Sequence, residues 1–136
     1  MLEAFFLVLF GIGSPQEDFT NPNLQRTKIS VESLRTRSFI NYAEQKINNE
    51  IEFKCFDELM QRESSWRTKN NPQYADNPNS SAYGIPQALP GEKMATHGHD
   101  WKTNPITQIN WALDYIKDRY STSCEALEFH NRKGWY

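Results

Sequence analysis

Glu63 stands in "RESSW", residues 62 to 66, where residue types and spacing suit proton transfer. At helical spacing it continues the stripe of Phe56 and Met60, with Cys55, Leu59 and Trp66 beside it. Asp57, Glu58 and Arg62 fall on the opposite side, where a solvated glutamate would be expected. A carboxyl on the apolar side of a helix end loses water, and desolvation raises its pKa by disfavouring the charged form. Such an acid keeps its proton near neutrality and can protonate the leaving oxygen of a sugar-to-sugar bond. The alternative is a structural glutamate paired with Arg62, Arg67 or Lys69.

Two other groups of residues compete for the chemistry. His97, His99 and Asp100 in "HGHD" are zinc-ligand types, but they lack a second, distant ligand pair, so a surface loop and no metal are expected. Cys55 or Cys124 would need a histidine and an orienting polar group to act as a nucleophile. Cys55 lies on an apolar helical stripe, which suits packing or a disulfide better. The two cysteines form no Cys-x-x-Cys pair, so they would make one disulfide in an exported protein or remain two buried thiols.

The elements that must position Glu63 are mainly helices. From about Val31 apolar residues recur every three or four positions, at Ile40, Ala43, Ile47 and Ile51, with Asn48 and Asn49 marking a break. A second helix is expected from about Glu50 to Ser65. Residues 67 to 82 read as an irregular polar loop, and "AYGIPQAL" as at best a short edge strand interrupted by Pro86. "THGHDW" reads as a further loop. Asn104 and Pro105 suit the N-cap and first position of a helix burying Ile109, Ala112, Leu113 and Ile116, and a last short helix is expected from about Ser123 to His130.

With 136 residues the chain has room for one ordinary domain. A formal charge of −2 gives no basic excess, so no nucleic-acid partner is expected. The aromatic content of 13%, with four tryptophans, would fill a core or line a sugar groove. Residues 1 to 13 carry an apolar run too short to span a bilayer, suited to a signal peptide although Glu3 replaces a basic start. A membrane-tethered or docked N-terminal segment is the alternative. Residues 14 to 30 read as a polar linker, and 31 to 136 as the domain.

Over residues 52 to 136 the sequence resembles the lysozyme-like lytic transglycosylases of the SLT type, in particular the small secreted and phage-associated group. The matching segments are "ESSW", "SSAYGIPQALPGEKMA", "DWKTNPITQINWALDYIKDRY" and the closing "GWY". The resemblance implies a mostly α, lysozyme-like fold with a small, reduced β element flanking a glycan groove. It implies a monomer acting on peptidoglycan strands outside the cytoplasm or in a virion, with no cofactor and no membrane span in the mature domain. Carried over by position, Glu63 becomes proton donor and then base, and Ser64 supports the acid or its turn. Gly84 would let the backbone approach the sugar, Gln87 would hydrogen-bond the glycan, and Tyr83 and Tyr115 would contact sugar or pack in the core.

The sequence departs from the family near its C-terminal end. Many members carry Ala-Tyr-Asn-Ala-Gly where this chain reads "ALEFHNRKG", so His130 and Asn131 would stand at the Tyr-Asn position. The tyrosine's role would then be lost or taken over by another residue. No second acid stands at an obvious partner position, which fits the family's one-acid scheme with a 1,6-anhydro product. Asp57, Glu58, Glu92 and Asp100 remain candidates for a water-activating base, and a groove that binds without cutting remains an alternative.

Overall fold

The computed structural model describes residues 20–68 and 81–136, with the backbone alone described at residues 24, 25 and 27–30 of the first helix. The apolar segment 1 to 13, the linker up to residue 19 and most of the loop after Trp66 therefore lie outside the described residues. The described part is mostly helical, in the order α1 (Pro22–Ile47), α2 (Glu50–Ser64), a 3-10 helix (Gly91–His97), α3 (Pro105–Tyr120) and α4 (Ser123–Lys133). Among the described residues no helix is long and apolar enough to cross a membrane.

Helix boundaries follow local chemistry. Asn21 caps α1 by accepting from Asn23 N at 2.9 Å, with Pro22 at the start of the first turn. The helix therefore begins well before Val31, and residues 22 to 30 are helical where a polar linker was expected. Hydrophobic periodicity misses this stretch because its helix is announced by a cap. The paired asparagines make the break: Asn48 ends α1 in a left-handed conformation, and Asn49 accepts from Ile51 N and Glu52 N to start α2. Asn104 caps α3 through Ile106 N, and Thr122 caps α4 through Glu125 N.

One loop and one strand expectation are corrected. Part of the expected "THGHDW" loop, Thr96 and His97, belongs to the 3-10 helix. The expected edge strand is a single bridge, Tyr83 to Ala88, closed by mutual hydrogen bonds of 3.0 Å around a turn. Pro86 is buried inside that turn and has no N–H to extend a ladder.

Phe56, Leu59 and Met60 of α2, Ile109, Ala112 and Ile116 of α3, Ala126 of α4 and Ala43 of α1 belong to one buried cluster. Leu113 is only partly buried. Trp66 and Ile85 from the connecting segments and Met94 from the 3-10 helix complete the centre. Phe56 and Trp66 pack edge to face at 5.9 Å. Tyr42 Oη donates to Asn110 Oδ1 at 2.8 Å and joins α1 to α3.

Cys55 and Cys124 form a disulfide with Cα atoms 4.9 Å apart, joining α2 to the start of α4. Beside it Glu52 Oε2 accepts from Ser123 N at 2.7 Å and holds the N-terminus of α4. Closing a loop with a sequence separation of 69 stabilises by about 4 kcal/mol in the chain-entropy model. Reduction is expected to lower the melting temperature by on the order of 10 to 20 °C. Thermal unfolding followed by circular dichroism, with and without reductant, measures this; coincident curves would show that the bond adds nothing.

Candidate functional site

Glu63 occupies the last turn of α2, where the chain reverses abruptly. Ser65 and Trp66 follow with φ of 53° and 56°, left-handed values that are uncommon for a serine and rarer for a bulky tryptophan. Surrounding contacts hold the reversal. Trp66 is fully buried and its Nε1 donates to Asp57 Oδ1 at 2.7 Å, while Arg67 Nε donates to Ser64 O at 2.8 Å. This geometry directs Glu63 off the helix end toward α4.

The Glu63 side chain is only 17% exposed, and its Oε1 lies 3.1 Å from Nε2 of His130, itself 14% exposed. Loss of water pushes the Glu63 carboxyl up to about 7. Burial pushes His130 down, and the Arg62 cation adds to that effect. Burial disfavours the charged form of both groups, and at pH 7 about half of the Glu63 carboxyls keep their proton, so the 3.1 Å contact is not a full ion pair. The cations offered as structural partners are otherwise engaged: Arg62 binds Glu58 and Asn131, and Arg67 binds the Ser64 carbonyl. Lys69 lies outside the described residues.

Ser64 joins the acid's helix to the downstream turn. Its buried Oγ donates to Ile85 O at 2.8 Å, which sets residues 83 to 88 beside the end of α2. Gln108 grips the same turn from α3: its Oε1 accepts from Ile85 N at 3.0 Å and its Nε2 donates to Trp101 O at 2.8 Å. Gly84 has φ of +75°, and a Cβ there would meet Gln108 Oε1 at 2.6 Å. The close approach that Gly84 permits is thus made by Gln108. Gln108 escapes sequence reasoning because an amide on a helix face gives no sign of being buried.

The other positions carried over from the family resemblance are engaged within the protein. Gln87 has φ of 50° and its Nε2 donates back to Gly84 O at 3.0 Å. Tyr83 packs on Trp101 with centroids 5.2 Å apart and donates to Lys102 O at 2.8 Å. Tyr115 stacks on Trp111 at 4.9 Å and accepts from Arg119 at 2.8 Å.

Tyr136 reaches the same site from the C-terminal segment. Its hydroxyl donates to Pro86 O at 2.9 Å, and its pKa is raised well above the ordinary value, first by burial and then by the Glu63 charge. The closing "GWY" is the signal that could have found it. The candidate second acids are tied elsewhere: Asp57 to Trp66, Glu58 to Arg62, and Asp100 to Asn104 and Thr107. Hydrogen bonds from Asn104, then Thr107, hold Asp100 below its usual range. Glu92 is exposed on the 3-10 helix.

His97 is held between Thr96 Oγ1 and Asp114 Oδ2, each at 2.9 Å. No group of three or more His, Cys, Asp or Glu side chains among the described residues could hold a metal ion. Two shallow depressions flank α1, one lined by Leu34, Arg37, Ser38, Asn41, Tyr42 and Gln45, the other by Glu32, Arg35, Phe39, Thr68 and Pro105. Glu63 is in neither lining. Residues 69–80, which connect α2 to the Tyr83 turn, lie outside the described residues.

Two stability predictions follow from this geometry. Gly84→Ala combines left-handed backbone with a clash at Gln108 and is expected to cost about 1–3 kcal/mol in chemical denaturation; an unchanged midpoint would refute the packing assignment. Glu63 gives a pH signature. The unfolded chain releases this proton near the ordinary value of 4.5, whereas the folded protein keeps it until about 7. Its favourable contribution is full below pH 4.5 and is lost as pH rises through 7. Glu63→Gln should therefore gain stability relative to wild type between pH 5 and pH 8, by on the order of 3 kcal/mol. Denaturation midpoints of both proteins at the two pH values test this, and a constant gap would contradict the buried acid. No protein-family model, curated protein or solved structure matches the chain.

Proposed function

We propose that the protein is a peptidoglycan-cleaving lytic transglycosylase, acting on the β-1,4 bond between N-acetylmuramic acid and N-acetylglucosamine, with Glu63 as acid and base. The observation that carries this reading is the shielded Glu63 carboxyl at the end of α2, 17% exposed and 3.1 Å from His130, where loss of water pushes its pKa up to about 7. A general acid works best when its pKa lies near the working pH. A purely structural or sugar-binding role gives no reason to keep a carboxyl away from water and from every arginine near it.

In this scheme Glu63 gives its proton to the glycosidic oxygen as the bond from the muramic anomeric carbon to that oxygen breaks. The acetamido oxygen of the same sugar takes up the positive charge at the anomeric carbon. The Glu63 carboxylate then removes the proton of the C6 hydroxyl, whose oxygen attacks the anomeric carbon and releases the acetamido group. The product is a 1,6-anhydro sugar, and Glu63 ends protonated as it began. The engagement of Asp57, Glu58 and Asp100 in other contacts favours this one-acid route over hydrolysis by a second carboxylate.

Glu63→Gln is expected to reduce clearing of purified cell wall by roughly 10²- to 10⁴-fold. Wild-type activity should fall on the alkaline side of about pH 7, where Glu63 has lost its proton. Mass spectrometry of the released muropeptides should show products one water lighter than hydrolysed ones. Equal clearing by wild type and variant would discard Glu63 as the catalyst, no clearing by either would leave only a wall-binding module, and full-mass products would identify a hydrolytic muramidase.

A further inference from the structure

His130 comes from a different helix than Glu63, and its own geometry constrains the acid. Its Nε2 lies 3.1 Å from Glu63 Oε1, within reach of a hydrogen bond but not aligned as one, while its Nδ1 is buried and has no hydrogen-bond partner. A neutral imidazole carries one hydrogen, on one nitrogen or the other. Placing it on Nδ1 would bury a donor without an acceptor and would leave Nε2 able only to accept. Placing it on Nε2 leaves a bare Nδ1, and an unmet acceptor in the interior is tolerated better than an unmet N–H.

We propose that His130 is the positioning residue of Glu63: with its hydrogen on Nε2, a small turn of the ring lets it donate to Glu63 Oε1 as substrate binds, so that Oε2 is the oxygen that delivers and retrieves the proton. This deepens the reading of Glu63 as the acid and rests on it. While Glu63 is protonated, the bond orients a neutral carboxyl. Once the proton has left, the same N–H faces a carboxylate and becomes a charge-assisted hydrogen bond, which is stronger. The interaction therefore grows as the glycosidic bond breaks, which is the condition for accelerating the step.

The other ionisable groups around the pair leave this assignment intact. Arg62 on α2 is engaged by Glu58 and Asn131, and it disfavours a second proton on His130. Arg132 on α4 pairs with Glu128, and Lys133 is exposed. Tyr136, with Tyr115 and Tyr120 around it, keeps its proton and donates to Pro86 O. None of these supplies a donor to His130 Nδ1.

Nuclear magnetic resonance tests the pairing without substrate. Nitrogen shifts of the wild-type His130 ring at pH 7 should show the hydrogen-bearing nitrogen as Nε2; a hydrogen on Nδ1 overturns the proposal. The Glu63 carboxyl carbon should titrate near 7 in wild type. It should titrate about one pH unit or more higher in His130→Phe, because the carboxylate has lost its donor. His130→Gln, whose amide N–H can reach the same oxygen, should return the midpoint most of the way. An unshifted midpoint in the Phe variant, or equal shifts in both, also overturns it. In wall clearing, His130→Phe should lose roughly tenfold to a hundredfold in kcat with little change in KM, and His130→Gln should recover most of that loss. A protein that titrates as expected but clears no wall retires the transglycosylase reading and upholds the pairing. A protein that clears wall with an unshifted midpoint does the reverse.

Discussion

The candidate site depends on the clamping of α2 against α4. The two helices touch at pairs of residues that advance in the same sense along both, Cys55 with Cys124 and then Glu63 with His130. The second pair lies roughly two turns beyond the first on each helix, so the helices run side by side in the same direction. A covalent bond and the Glu52 cap fix one end of this contact. At the other end Arg62 with Asn131 and Glu63 with His130 close it. The disulfide thus sets the register that brings an imidazole to an acid distant in sequence, and this linkage is mechanical as well as stabilising.

A second constraint is the turn at residues 84–87, held from both sides. Ser64 takes the carbonyl of Ile85 and Gln108 takes its N–H, so both polar groups of a buried residue are satisfied by buried side chains. Left-handed backbone collects around this junction, at Ser65, Trp66, Gly84 and Gln87. Strain of this kind, of about 1–3 kcal/mol per non-glycine residue, persists only where surrounding contacts over-determine the backbone. Here those contacts are the burial of Trp66 and Ile85 and the hydrogen bonds of Ser64, Asp57 and Gln108.

The chemical character of Glu63 comes from the same packing. Ionising it in place would set a charge beside Tyr136 and a neutral imidazole with little water to solvate it. The protein therefore holds a proton that an exposed glutamate would release some two to three pH units earlier. Tyr136 seals the site by spending its hydroxyl on the Pro86 carbonyl, which links the C-terminal segment to the turn carrying Gln87.

Much of the helical plan was legible in the sequence because it is governed locally. The break at Asn48 and Asn49, the start of α3 at Asn104 and Pro105, and the apolar stripe of α2 with Glu63 upon it all follow from capping chemistry and a 3.6-residue period. The start of α1 at Pro22 and the extension of α4 past His130 were missed, since those turns are polar and carry no period. The pairing of the cysteines, the burial of Gln108, the hydrogen bonds that tie Tyr83 and Gln87 to the backbone, and the meeting of His130 with Glu63 were not legible. Each depends on which helix faces which, a matter of long-range packing that no single segment encodes. By itself the sequence determined that an acid would sit on the apolar side of a helix end. Only the tertiary structure decided that it would lose its water there and face a histidine, because solvation and contact belong to the assembled fold.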